Sequence, residues 1–319
     1  MQIFVTGGSG FVGGHLIRAL VAAGHAVSAL SRSPKSAAAV SELGARPVSG
    51  ELGAVPAEGL RGVDCVIHAA AYVEEWGSRE QYWTANVEGT SQLLAAAEAA
   101  GVARFIHVGT EAALFAGQAL LDIDESAPYP STQRFLYSET KAEAERRVFL
   151  ANRPGFTSLS IRPRLVWGPG DTSVLPTVLS RARAGQFAWL DGGRHLTSTC
   201  HVDNLVHALL LALTRGEGGR SYFIADEGTH SIREFLDALA ANEGVSLGER
   251  SVPGALARPL SVIVEGLWTL LRLQGAPPLT RFAVAMMSRP VTVRTDRAKA
   301  ELGYAPVITV EDGIDAMRR

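Results

Sequence analysis

Apolar residues arrive in short runs that alternate with stretches of helical period, the pattern of a parallel sheet with crossover helices. Residues 2–6, 26–31, 64–69 and 104–108 are expected as strands, and Ser158 to Arg162 as another that Pro163 breaks. Between them, about Phe11 to Ala23 is expected as a helix with Val12, Leu16 and Leu20 on its apolar face and Gly24 as its stop. Gln81 to Ala100 is alanine-rich and reads as a second helix closed by Gly101. A loop rich in Asp, Pro and Ser (122–133) precedes a third, which ends near Asn152 before Pro154-Gly155. The pattern predicts an α/β fold built on a doubly wound parallel sheet.

Past Pro163 the alternation loosens, with Gly168, Pro169 and Gly170 marking a departure from the sheet. Residues 200–203, followed by a helical run from Asn204 to Leu213, look like a return to it. Further on, Arg258, Ser261, Glu265, Thr269 and Arg272 recur at three- and four-residue spacing on an otherwise apolar helix, 258–272. Such a helix is expected to bury most of its circumference in the core of a smaller domain. The other reading is a wall or lid over an apolar substrate, resting on a membrane surface. Phe282, Met286 and Met287 extend the apolar character.

At 319 residues the chain can bury a sizeable core as one large domain or two joined ones. A net charge of −2 gives no electrostatic footprint for nucleic acid. Cys65 lies in an apolar run, so burial in a reducing compartment is expected rather than a bridge to Cys200. The histidines have no metal-ligand spacing, so no metal is expected. The chain opens directly on a strand, and charges interrupt the apolar stretch from Leu256 to Leu273. Neither a signal peptide nor a transmembrane span is expected, and the location is expected to be cytoplasmic.

Chemistry concentrates at two places. The first is the turn Thr6-Gly7-Gly8-Ser9-Gly10-Phe11-Val12-Gly13, between a strand and a helix. Glycines there let the backbone bend sharply and approach a pyrophosphate at the positive end of the helix. This is a Rossmann-type dinucleotide site, expected to occupy residues 1–166 with 196–226 returning to it. The rest of 167–319 is expected to form a smaller discontinuous α+β substrate domain. An acid usually stands about 20 residues past the turn to hold the ribose hydroxyl. Here the sequence has Ser31-Arg32-Ser33, with Lys35 close behind. Arg32 can grip a 2′-phosphate that a carboxylate would repel, so NADP is expected over NAD.

The second place is Tyr137-Ser138-Glu139-Thr140-Lys141, which puts a phenol and an ammonium one helical turn apart. To act as a base near neutrality, tyrosine must titrate roughly 2–3 pH units lower than usual, about 3–4 kcal/mol. An ammonium at about 4 Å supplies about 4 kcal/mol at an effective dielectric of about 20, so Lys141 is expected to suffice together with the cationic nicotinamide ring of an oxidised cofactor. Thr110, at the end of a strand, offers a hydroxyl for the substrate oxygen.

With these residues the chain resembles the extended short-chain dehydrogenase/reductase superfamily over essentially its whole length. The resemblance runs through the turn, His68-Ala69-Ala70-Ala71, Asn86 to Thr90, Tyr137-x-x-x-Lys141, Arg162-Pro163, Trp167 to Asp171 and His201-Val202-Asp203. Residues 69–77 and 162–171 are most similar to the 3β-hydroxysteroid dehydrogenase and sterol-4α-carboxylate 3-dehydrogenase branch. The resemblance implies Tyr137 as general acid/base, Lys141 as its activator, Thr110 as hydroxyl partner and Asn86 as a sheet-end support. The cofactor-binding positions expected are Gly7, Gly10, Phe11, Val12, Gly13, Ser31, Arg32, Lys35, Glu51, Leu52, Ala69, Ala70, Tyr137 and Lys141. A homodimer packed through the helices around Asn86 and Tyr137 is also implied.

Sugar-nucleotide dehydratases have Thr-Asp-Glu where this chain has Thr110-Glu111-Ala112, which argues against dehydration. Few cations apart from Arg164, Arg194, Arg272 and Arg281 stand ready for a nucleotide diphosphate. The expected reaction interconverts a secondary alcohol and a ketone on a largely apolar, sterol-like substrate. A nucleotide-sugar epimerase using the cofactor transiently, and an NADP-binding redox sensor, stay open.

Overall fold

The computed structural model describes residues 1–74 and 76–318; Glu75, within the 69–77 stretch, and Arg319 lie outside the described residues. The first half runs β1 (Gln2–Thr6), α1 (Phe11–Ala22), β2 (Ala26–Ser31), α2 (Pro34–Glu42), β3 (Arg46–Ser49), α3 (Ala57–Leu60) and β4 (Cys65–His68). It continues with α4 (Arg79–Trp83), α5 (Gly89–Ala99), β5 (Arg104–Val108), β6 (Leu120–Ile123), α6 (Leu136–Ala151) and β7 (Thr157–Pro163). The second half holds β8 (Val166–Trp167), α7 (Val174–Arg183), β9 (Trp189–Leu190), β10 (Leu196–Thr197), β11 (Cys200–His201), α8 (Val202–Ala212) and β12 (Ser221–Ile224). After these come β13 (His230–Ser231), α9 (Ile232–Asn242), β14 (Ser251–Val252), α10 (Gly254–Leu270), α11 (Arg281–Met287), β15 (Val291–Val293) and α12 (Val310–Met317).

The main sheet is a seven-stranded, Rossmann-type parallel sheet, ordered β12-β7-β5-β4-β1-β2-β3. Alternating strand residues serve opposite faces. Ile3, Val5, Ile67 and Ile161 join Leu16 and Leu20 of α1 and Leu205 and Leu209 of α8, while Phe4, Val66 and Phe105 join Leu93 of α5 and Val148 of α6. The strand order reverses between β1 and β4, so a crevice opens where Thr6 stands beside His68. A smaller four-stranded sheet, β13-β10-β15-β6, stands apart, and Trp167, Trp189, Phe235 and Leu236 form a core for the second half.

Three expectations change. Residues 200–201 pair only with β8, and it is β12 that joins the main sheet, beside β7. The helix expected over 81–100 begins at Arg79, capped by Ser78, and carries a π-helical turn over Thr84–Glu88. The third concerns the apolar helix α10, which does not bury its circumference. The first three members of its polar stripe face inward: Ser261 is buried, Arg258 donates to Ser288 Oγ at 3.3 Å, and Glu265 accepts from the Arg281 backbone N–H at 2.5 Å, while Thr269 and Arg272 are exposed. The apolar side is left outside, with Leu260 49% and Leu270 76% exposed. Hydrogen bonds to α11 and the Ser288 that follows it set the helix's rotation, and α10 has no second layer to cover it.

Both cysteines are buried free thiols, and among the described residues no cluster of His, Cys, Asp or Glu could hold a metal. No helix among the described residues is long and apolar enough to cross a membrane.

Candidate active site

The glycine turn is fixed by its own backbone. Gly7 takes φ +74°, and Gly10 N–H donates to Gly7 O at 3.0 Å. A Cβ on Gly7 would sit 2.8 Å from Ala70 N, and one on Gly13 would sit 2.1 Å from Gly7 O. Only glycine lets the turn close against Ala69–Ala70 and under α1. At Gly10 the sole neighbour of such a Cβ is Gly7 O at 3.3 Å, so its outer side is open. Helix α1 starts with no side-chain cap and no acid in its first turn. Its free N–H groups, with Phe11 and Val12 partly buried just behind them, suit a pyrophosphate. The residues present therefore fit the dinucleotide that the turn implies.

A buried histidine braces this crevice, a part that pattern reasoning on the strand did not assign. His68 lies between Thr6 Oγ1 (2.7 Å) and Thr90 Oγ1 (2.9 Å), and Thr6 Oγ1 also accepts from Ala70 N–H at 3.2 Å. Burial pushes His68 down to about 3, so it works as a neutral hydrogen-bonding strut. At the far end of β2, Ser31 is buried whereas Arg32 and Lys35 are exposed. Ser33 and Ser36 cap α2, and Arg32 engages no acid among the described residues. Glu51 is exposed past β3, and Leu52 is partly buried against Gly89.

Tyr137 and Lys141 sit on α6, and Thr110 at the end of β5 caps the short 3-10 turn Glu111–Leu114. Thr110 Oγ1 donates to Glu111 Oε2 at 2.9 Å and also lies within hydrogen-bonding reach of the Tyr137 hydroxyl. Glu111 is buried and paired with Arg164 at 2.9 Å. The Phe282 ring of α11 stands edge-on to Tyr137, with centroids 5.5 Å apart, and roofs the site with an apolar surface. The structure thus brings Thr110, Tyr137 and Lys141 to one strand end; Arg164, expected as a cation ready for a diphosphate, is instead buried against Glu111, and the neighbour that sequence reasoning missed is His107.

One electrostatic expectation is corrected. Burial and the nearby Glu111 carboxylate raise the Tyr137 phenol above its usual range, and the Thr110 hydrogen bond only partly opposes them. The Lys141 ammonium is turned to the strand end, where it donates to Val108 O at 2.8 Å and lies 3.4 Å from His107 Nε2. Burial lowers Lys141 itself to about 8 despite the Glu145 charge. Beneath it Glu145 and Arg162, both buried, pair at 2.5 Å. Asn86, in the π turn, accepts from Tyr72 N–H at 2.7 Å and donates to Thr140 Oγ1 at 3.1 Å, which fastens the 69–72 segment to α6.

Comparison with known proteins agrees with this geometry. The sequence model of the 3-beta hydroxysteroid dehydrogenase/isomerase family matches residues 4–253. A Stigmatella aurantiaca protein named 4-hydroxy-2-methyl-3-oxo-4-farnesyl-3,4-dihydroquinoline-1-oxide ketoreductase is 44% identical over 100% of this chain and 96% of its own. A Stenotrophomonas maltophilia (strain K279a) protein named 2-alkyl-3-oxoalkanoate reductase is 35% identical over 100% and 98%. Among solved structures, UDP-glucuronic acid 4-epimerase from Bacillus cereus in complex with NAD superposes with a TM-score of 0.77, covering 99% of this chain and 97% of that one. At 19% identity it shares the fold alone. The chain belongs to the 3-beta hydroxysteroid dehydrogenase/isomerase family and is a nicotinamide-dependent oxidoreductase of hydroxyl and keto groups.

Proposed function

We propose that this enzyme reduces the ketone of a largely apolar substrate with NADPH, Tyr137 giving the proton. The observation that carries this reading is the phenol held between the Thr110 hydroxyl and the Phe282 ring. A bound nicotinamide supplies the hydride. Thr110 orients the carbonyl oxygen, and Tyr137, kept protonated by burial and Glu111, delivers its proton to that oxygen. The apolar roof and the oxo substrates named for the two relatives support a hydrophobic ketone. We also assign cofactor binding to residues 1–166 with 196–226, and substrate binding to the remainder of 167–319. Turnover of a panel of alkyl, prenyl and sterol ketones, followed at the nicotinamide absorbance, tests the reading; inertness towards all three classes would overturn it.

Arg32 is the proposed grip on the 2′-phosphate, since it is exposed and uncommitted. Arg32→Asp should lower kcat/KM with NADPH by about tenfold to a hundredfold, the scale of a charge-assisted contact, and spare NADH. Equal losses with both cofactors would refute that assignment.

The alkaline limb of reduction should come from Lys141, which we place on the cofactor ribose, where an ammonium donates more strongly than a neutral amine. Its charge is present below about pH 8 and lost above it, while Tyr137 keeps its proton throughout that range. The kcat/KM for ketone reduction is expected to decline as pH rises past 8. In Lys141→Arg the limb should move out of range, because guanidinium does not titrate there. A wild-type profile that stays flat through this region would contradict it.

A further inference from the structure

We propose that His107 is a positioning residue for Lys141, its Nε2 and the Val108 carbonyl holding the ammonium at the strand end with one N–H left over. That the spare N–H serves the cofactor ribose rests on the role proposed for Lys141. An ammonium has three protons and no lone pair, so His107 Nε2, 3.4 Å from Nζ, can meet it only as an acceptor. Val108 O takes a second proton at 2.8 Å. The imidazole proton is thereby assigned to Nδ1.

Among the described residues, His107 is the only side-chain acceptor that the ammonium meets. Glu145, one turn further along α6, lends its field but no contact. Its carboxylate is spent on Arg162, at 2.9 and 2.5 Å, and on the Tyr129 hydroxyl at 2.5 Å. Tyr137, one turn back, brings a protonated phenol. From β4 comes His68, both of whose ring nitrogens are taken by Thr6 and Thr90. From β7 come Ser160, in register with His107, and the second cation Arg162. The buried Lys141 charge, lowered by burial to about 8, therefore rests on neutral acceptors.

The fold itself has little use for this ring. His107 is 1% exposed, and its Nδ1 has no partner among the described residues. An orphaned buried donor destabilises, and an apolar side chain at this position would avoid the cost. Burial and the Lys141 charge hold the imidazole well below its ordinary range. The ring stays neutral, and its Nε2 lone pair is present at every working pH.

The test reads the amine directly. The chain has three lysines, and the other two, Lys35 and Lys299, are exposed, so lysine isotope-labelled at Cε gives Lys141 a separate NMR signal. Without cofactor, the wild-type amine should titrate at about 8. His107→Leu should lower that midpoint by about one pH unit, the scale of a hydrogen bond to a charged group. His107→Gln, whose amide oxygen can stand in for Nε2, should restore it. The thermal midpoint of the leucine variant should hold or rise, because the orphaned donor is gone. An unchanged Lys141 midpoint in His107→Leu, or an equal fall in His107→Gln, would overturn the proposal. So would a leucine variant too unstable to titrate, since the ring would then serve packing. The alkaline limb of ketone reduction should move with the amine. A limb that stays while the amine shifts would remove Lys141 from the ribose and leave His107's hold on it intact.

Discussion

Tyr137→Phe is expected to reduce turnover by about 10²–10⁴-fold, the scale of a lost general acid, with cofactor affinity unchanged. Only the hydroxyl is removed. The ring that packs edge-on to Phe282 at 5.5 Å remains, so the roof and α6 keep their support. Steady-state rates at the nicotinamide absorbance, paired with a fluorescence titration of NADPH, separate chemistry from binding. Residual turnover within a few fold of wild type would remove Tyr137 from the reaction. Parallel loss of cofactor affinity would mean that the substitution had disturbed the crevice instead.

Glu145→Ala should bring the largest loss of stability, about 3–5 kcal/mol, because it strands a buried guanidinium. Arg162 is held by Glu145 through Nε at 2.9 Å and Nη2 at 2.5 Å, and Tyr129 donates to the same carboxylate at 2.5 Å. Against a typical total of about 5–15 kcal/mol, that removes about a fifth or more of the fold's margin. The exposed pair Arg79–Glu139, at 2.6 Å, contributes about 0–1 kcal/mol, so its loss should barely register. A denaturant titration of both variants decides; equal midpoints would refute the ranking. Burial alone would raise the Glu145 carboxyl, yet Arg162 overrides it and the net direction is down. A depressed carboxylate stabilises above its unfolded value and loses that contribution as pH falls through its folded value. The wild type should therefore weaken in acid below the usual carboxylate range.

Much of the first half was legible because its signals are local. Short apolar strand runs, glycines demanded by close backbone approach, and a helical Tyr-x-x-x-Lys spacing survive in any context. The seventh strand was not legible in place, because Ser221–Ile224 joins β7 only through pairing across distant sequence. Nor was the electrostatic state of Tyr137. Spacing puts Lys141 one turn away, but the direction in which its ammonium points depends on Val108 O at the end of another strand. The rotation of α10 failed for a similar reason. Apolar side chains turn inward only where a core awaits them, and here Leu260, Ile263 and Leu267 find none.

The placement of β12 has a consequence for synthesis. Until the ribosome has delivered Ile224, β7 offers a bare edge with Ser160 to Pro163 ready to accept any passing strand. Helix α8, which covers Leu159 and Ile161, is likewise still unmade when the glycine turn emerges. The first half cannot complete its sheet ahead of the second, and the nascent chain gains from being shielded from self-association until both have left the tunnel.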